Sequence, residues 1–301
     1  MCKLGLWQVV VLVTLITSVA MPVLAAADDF DSRTALFKYD NKADLRVNEV
    51  GVEKRGDVTV RDIAFVGIAG KPPIKAYLVV PNGAGPFAGV LWVHWLGEEK
   101  SNRDQFLDEA VALAPKGVVS LLVDAMWATP KWFEDRILEK DYEDSIEQVI
   151  KLRRAMDLLT GQPNVDRTRI GFVGHDYGGM YGMLMAGVDQ RARTYVFIAV
   201  TQSFESWAFL GKQPASKAEY LGRNSVLELT DYLRQVKNSS TLFQFGTNDF
   251  YVSGADAAVI FAAANQPKER KKYDTGHKMD LPKIVSDRDD WLARQLNLPN
   301  K

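Results

Sequence analysis

The stretch Gly174-His175-Asp176-Tyr177-Gly178-Gly179 is where this chain could do chemistry. It follows an apolar, strand-like run, Arg169-Ile170-Gly171-Phe172-Val173, and opens a Gly-, Met- and Ala-rich run from Met180 to Gly187. Strand, glycine-flanked polar residue, helix is the order of a nucleophile elbow. Such a turn thrusts one side chain out at the carboxyl end of a sheet, beside the N–H groups of a helix N-terminus. The usual elbow carries Ser; here the residue is Asp176. A carboxylate is already ionised at neutral pH and needs no base to expose its lone pairs. Its attack on an ester carbonyl would give a high-energy anhydride. Its attack on a saturated carbon with a strained or good leaving group gives an ordinary ester.

Two later residues complete a candidate triad. Asp249 ends Phe245-Gly246-Thr247-Asn248-Asp249, just past an apolar run, and His277 ends Tyr273-Asp274-Thr275-Gly276-His277. Alone, Asp249 reads as a turn or cap carboxylate and His277 as a surface histidine. Together they follow Asp176 in the order nucleophile, acid, histidine. In that scheme His277, oriented by Asp249, activates water against the ester. Two carboxylates beside His277 are expected to raise its pKa.

Other side chains are expected around this triad. The backbone N–H groups of Tyr177 and Trp95 are expected to form an anion pocket, because His94-Trp95-Leu96-Gly97 follows a strand-like run. The Trp95 indole could serve as a halide donor or simply wall the pocket. His94, Trp127, Trp207 and Tyr220 are candidate substrate contacts, with Tyr220 a candidate proton donor whose alternative is plain packing. His175 reads as a hydrogen-bonding residue of the elbow rather than a base. The chain has three histidines, and their spacing resembles no common zinc pattern. No metal and no cofactor are expected; the expected partner is a small-molecule substrate.

Positioning these residues requires an α/β architecture. Val58 to Ile68 and Ile74 to Val80 read as strands joined by Gly70-Lys71-Pro72-Pro73. Gly89 to His94 and Val118 to Val123 are continuous apolar runs, as for strands covered on both faces. Tyr142 to Leu159 reads as a long amphipathic helix, and Gly161-Gln162-Pro163 stops it. Strands are also expected at Tyr195 to Val200 and Thr241 to Phe245, and helices at Asp104 to Leu113, Asp256 to Ala264 and Asp287 to Leu296. This alternation predicts a mostly parallel twisted sheet with helices on both faces, its site beyond the carboxyl ends of the strands. Residues 58–298 are expected to form the domain, with a short aromatic lid at about 201–229 and a polar lead-in at 28–57.

On these residues the chain resembles the α/β-hydrolases of the dienelactone-hydrolase-like group over roughly residues 58–296. The run from Met156-Asp157-Leu158-Leu159 through Pro163-Asn164-Val165-Asp166-Arg167-Thr168-Arg169-Ile170-Gly171 is similar to the helix and turn that precede the elbow there. The Gly-His-Asp-aromatic-Gly-Gly elbow instead resembles that of haloalkane dehalogenases and epoxide hydrolases. The first resemblance implies ester or lactone hydrolysis, with Asp176 and His277 as bases on water. The second implies a covalent Asp176 intermediate. A non-catalytic binding protein on the same fold is a third reading, against which the intact acid and histidine argue. The dehalogenase and epoxide families usually have His-Gly where this chain has His94-Trp95.

Composition narrows the rest. Acids and bases are interspersed to a net charge of −1, which gives no basic footprint for nucleic acid. Lys3, the apolar run Leu4 to Ala20 and the small residues Leu24-Ala25-Ala26-Ala27 read as a signal peptide at 1–27, so a secreted or periplasmic protein with no membrane contact after cleavage is expected. Cys2 is the only cysteine and would leave with the signal, so no disulfide is expected.

Overall fold

A computed structural model describes residues 30–203 and 212–299. Its strands are β1 (Asn48–Arg55), β2 (Val58–Phe65), β3 (Ile74–Pro81), β4 (Phe87–Val93), β5 (Val118–Val123), β6 (Val165–His175), β7 (Thr194–Ile198), β8 (Ser240–Gly246) and β9 (Lys268–Tyr273). Its described α-helices are α1 (Phe30–Ala35), α2 (Leu107–Leu113), α3 (Trp132–Asp135), α4 (Asp141–Thr160), α5 (Tyr177–Val188), α6 (Lys217–Asn224), α7 (Leu229–Leu233), α8 (Gly254–Ala263) and α9 (Pro282–Gln295).

The strands form one sheet in the order β1-β2-β3-β5-β4-β6-β7-β8-β9. From β5 across to β9 every pair is parallel, while β1, β2, β3 and β5 pair antiparallel. The expected mostly parallel sheet is therefore present.

The unbroken apolar runs sit where both faces are covered. Along β4, Leu91 and Val93 enter one apolar layer and Val90 and Trp92 the other. Along β5, Val119 and Leu121 part from Val118 and Leu122 in the same way. α4 and α5 close the first layer through Val149, Leu152, Met180 and Leu184. α2 and α9 close the second through Ala110, Leu113, Ile284 and Leu292. α5 carries no charged residue and is buried from Tyr177 to Gly187, so it has no solvent face to pattern.

Two strands escape the sequence reading. β1 lies at a sheet edge and exposes nearly all of its residues, Val50 and Val52 included, so it has no buried face for a sequence pattern to mark. β9 forms the other edge from Lys268-Glu269-Arg270-Lys271-Lys272-Tyr273, a charged run that pairs through its backbone with β8. The lead-in at 28–57 is tied to the domain. It contributes β1 to the sheet, and Phe37 is fully buried against Tyr232 with ring centroids 5.8 Å apart. No described helix is long and apolar enough to cross a membrane. The signal peptide at 1–27 and the lid aromatics Phe204, Trp207 and Phe209 lie outside the described residues.

Candidate active site

Asp176 stands between β6 and α5 with φ 51° and ψ −119°. That conformation costs a residue with a Cβ about 1–3 kcal/mol. Its neighbours hold it there. The Asp176 N–H donates to Ile198 O at 2.8 Å, and its carbonyl accepts from Met180 N at 2.9 Å. The flanking glycines are needed for close approach: a Cβ on Gly174 would lie 2.5 Å from Gly178 O, and one on Gly178 would lie 2.3 Å from Val93 O. The elbow pattern thus reflects crowding of β6, α5 and β4 around one projecting carboxylate.

The three residues of the expected triad meet. His277 Nε2 lies 3.3 Å from Asp176 Oδ1, and His277 Nδ1 lies 2.8 Å from Asp249 Oδ2. Asp249 is fixed by its own turn, because its Oδ1 accepts from the N–H groups of Tyr251 at 2.8 Å and Val252 at 3.0 Å. Its side chain is 1% exposed, against 12% for that of His277. Burial alone would push the His277 ring toward neutrality. Hydrogen bonds to Asp176 and Asp249, with the charge of both carboxylates, override it and raise the pKa to about 10. The site therefore favours a protonated His277 between the two carboxylates, with Nδ1 hydrogen-bonded to Asp249 and Nε2 within ion-pair distance of Asp176.

The loop after β4 differs from expectation by one residue. The Trp95 N–H does not face the anion pocket; it donates to Gln105 Oε1 at 2.8 Å. The next N–H, that of Leu96, donates to Asp176 Oδ2 at 3.1 Å. Which amide points inward depends on how the chain leaves the strand, and residue types do not encode that. The Trp95 indole is no halide donor either, since its Nε1–H donates to Glu99 O at 2.9 Å. Its ring stacks on His175 with centroids 5.1 Å apart and planes 9° apart.

A cavity of about 860 Å³ opens over the triad. Trp95, Trp127, Trp132, Tyr177 and Tyr251 give it aromatic walls, while Lys100, Lys131, Glu98 and Glu99 stand among its lining residues. Tyr251, which the sequence reading passed over, sets its ring edge-on to His277 at 4.9 Å. Its place directly after the Asp249 turn was the available signal. Two expected contacts are absent from this lining. His94 is sealed below it: its Nε2 accepts from Ala125 N at 3.0 Å, its Nδ1 lies 2.8 Å from Trp95 O, and burial lowers its pKa to about 4. Tyr220 is buried away from it, donating to Asp141 Oδ2 at 2.6 Å across the start of α4. Trp127 does line the cavity, and its Nε1–H is turned to His94 O at 3.2 Å. Among the described residues no group of histidine, cysteine and carboxylate side chains is arranged to hold a metal.

Structural comparison decides the architecture. An acetyl xylan esterase from a Paenibacillus species superposes with a TM-score of 0.72 at 19% identity, over 88% of this chain and 93% of that one. A second acetyl xylan esterase, from a Thermoanaerobacterium species, gives 0.69 at 16% identity, over 89% and 94%. A protein assigned as a dienelactone hydrolase from Klebsiella pneumoniae gives 0.60 at 14% identity, over 80% and 99%. The chain has the α/β-hydrolase fold. No family model and no curated protein matches its sequence. In this α/β-hydrolase fold the loops that follow β4, β6, β8 and β9 supply Leu96, Asp176, Asp249 and His277 respectively. All of them open at the carboxyl edge of the sheet, where ligand sites of such sheets lie.

Proposed function

We propose that the protein is a hydrolase whose Asp176 attacks a saturated carbon and forms an alkyl ester, which His277 and water then cleave. The hydrogen bond from Leu96 N–H to Asp176 Oδ2 carries this reading. An N–H group in that position stabilises the oxyanion of a tetrahedral intermediate. Here it already holds one oxygen of the enzyme's own carboxylate. That oxygen becomes the oxyanion when water attacks Asp176 Cγ.

Asp176 Oδ1 forms a bond to carbon, and the leaving group departs with the electron pair of the broken bond. Esterification removes the charge on Asp176, which is one of the two charges that hold a proton on His277. The ring then gives up that proton, to the departing oxygen or to solvent, and becomes a base. Neutral His277 takes a proton from water as the water oxygen bonds to Cγ. Collapse breaks the Cγ–Oδ1 bond, the product alcohol leaves with the proton from His277, and the proton of the Asp176 acid then passes to the ring and restores the starting ion pair. The spent indole N–H groups of Trp95 and Trp127 favour an oxygen leaving group over a halide. The aromatic walls favour a mostly apolar substrate.

A second reading has Asp176 and His277 act as bases on water in an esterase or lactonase. The acetyl xylan esterase and dienelactone hydrolase neighbours favour it. It requires Asp176 Oδ2 to surrender Leu96 N–H to the substrate carbonyl. One single-turnover reaction in ¹⁸O water, with enzyme in excess and a substrate drawn from a panel of epoxides, lactones, esters and haloalkanes, separates the two. The covalent reading places the label in the peptide containing Asp176 and leaves the first product unlabelled. Label in the first product overturns it. We propose export from the pattern of Lys3, the apolar run Leu4 to Ala20 and Ala25-Ala26-Ala27, and N-terminal sequencing of the exported protein should begin near Asp28.

A further inference from the structure

His175 is 1% exposed, lies next to the proposed nucleophile and takes no part in the chemistry above. Its ring nitrogens nevertheless join two loops of the site. Gln105 Oε1 accepts from Trp95 N at 2.8 Å, Gln105 Nε2 lies 2.6 Å from His175 Nδ1, and His175 Nε2 lies 2.9 Å from His277 O. The directions of these bonds are forced from both ends. A backbone N–H can only donate, so the Gln105 oxygen must face Trp95 and its NH₂ must face His175. A backbone carbonyl can only accept, so His175 Nε2 must carry a proton. Nδ1 must then be bare, because it meets a donor.

We propose that Gln105 and His175 are positioning residues, a one-way hydrogen-bond chain from the anion-pocket loop to the backbone of His277 that locks His175 as the neutral Nε2–H tautomer. The inference deepens the proposed function, since it rests on His277 being the working ring. Trp95 covers one face of His175, and its own backbone N–H begins the chain, so the loop that supplies Leu96 N–H and the loop that supplies His277 share one anchor. Burial keeps the His175 ring neutral, in keeping with this geometry. A proton on Nδ1 would face the Gln105 NH₂ group and break the chain.

With three histidines in the chain, ring ¹⁵N spectra resolve them individually. In the unmodified protein, His175 should show the neutral Nε2–H pattern throughout pH 5 to 9. A charged ring or an Nδ1–H tautomer in that range overturns the proposal. In Gln105→Glu, the carboxylate still accepts from Trp95 N but offers His175 Nδ1 an acceptor, so His175 should become an imidazolium near neutral pH. A His175 that stays neutral there also overturns it. In Gln105→Leu, kcat should fall about 10- to 100-fold while KM moves less than threefold, as expected when a reacting group is misplaced by a fraction of an ångström. Unchanged kcat in a folded Gln105→Leu protein refutes the positioning role. The spectra do not depend on turnover, so they stand even if His277 proves not to act on substrate.

Discussion

His175 and His277 lie with ring centroids 5.7 Å apart, and each is largely withdrawn from solvent. Burial settles the charge of the first: among the described contacts its ring meets an amide, a carbonyl and an indole face, so it stays neutral. Burial is outweighed at the second, where two carboxylates bracket the ring and raise its pKa to about 10. The same side chain is the proposed structural tie in one loop and the proposed reactive group in the next. The difference lies in burial without an acid partner at His175, where the charge of His277 also opposes a proton, and in two carboxylate partners at His277. A histidine therefore says little about function until both nitrogens are accounted for.

Removing one bracket is the strongest way to break this contrast. Asp176→Asn should abolish turnover of any substrate the protein accepts, by about 10⁴-fold or more, because both proposed roles of that carboxylate are lost. It should also bring the His277 titration, followed by NMR, well below 10. Full activity in this variant would remove the elbow from the chemistry.

Asp249→Asn takes away the other bracket but leaves an oxygen for Tyr251 N and Val252 N. A loss of about 10³- to 10⁴-fold in kcat is expected, since the ring loses both its orientation and a partner charge. A loss under fivefold would mean that Asp249 only shapes its turn.

The pH dependence sharpens the contrast from both directions. The folded pKa of His277 lies above its unfolded value, so its stabilisation is complete below about pH 6.5 and is lost as pH rises through about 10. Thermal midpoints should fall by several degrees between pH 7 and pH 10.5, and His277→Gln should flatten that fall. Turnover should behave differently. The ester at Asp176 removes a negative charge, so kcat should rise through a midpoint well below 10, while the free enzyme titrates near 10. Coincident midpoints would count against a covalent intermediate. The smallest effect is expected at Tyr220, outside the cavity lining: Tyr220→Phe should cost about 1 kcal/mol in denaturant unfolding and leave kcat/KM within about twofold.

Much of this contrast was legible in residue types and much was not. Asp176 and Asp249 could be read because each follows an apolar run at a strand end, and His277 because it comes after them in the order nucleophile, acid, histidine. The central strands β4, β5 and β6 could be read because two covered faces demand continuous apolar residues. β1 and β9 could not, since an edge strand needs only backbone pairing, and β9 spends its side chains on charge. The shift from Trp95 N to Leu96 N, and the withdrawal of His94 and Tyr220 from the cavity, depend on how loops turn and on which buried acceptor lies nearest. Neither leaves a trace in spacing.

The bend at Asp176 has one more consequence. Its left-handed conformation is imposed by the three chain segments crowded around it, and glycine's absence there shows that a side chain is wanted regardless of the conformational penalty. The scaffold thus bears the tension while the functional group it displays can be swapped. A single codon change at this apex could redirect such a molecule between reaction types without asking anything new of its core.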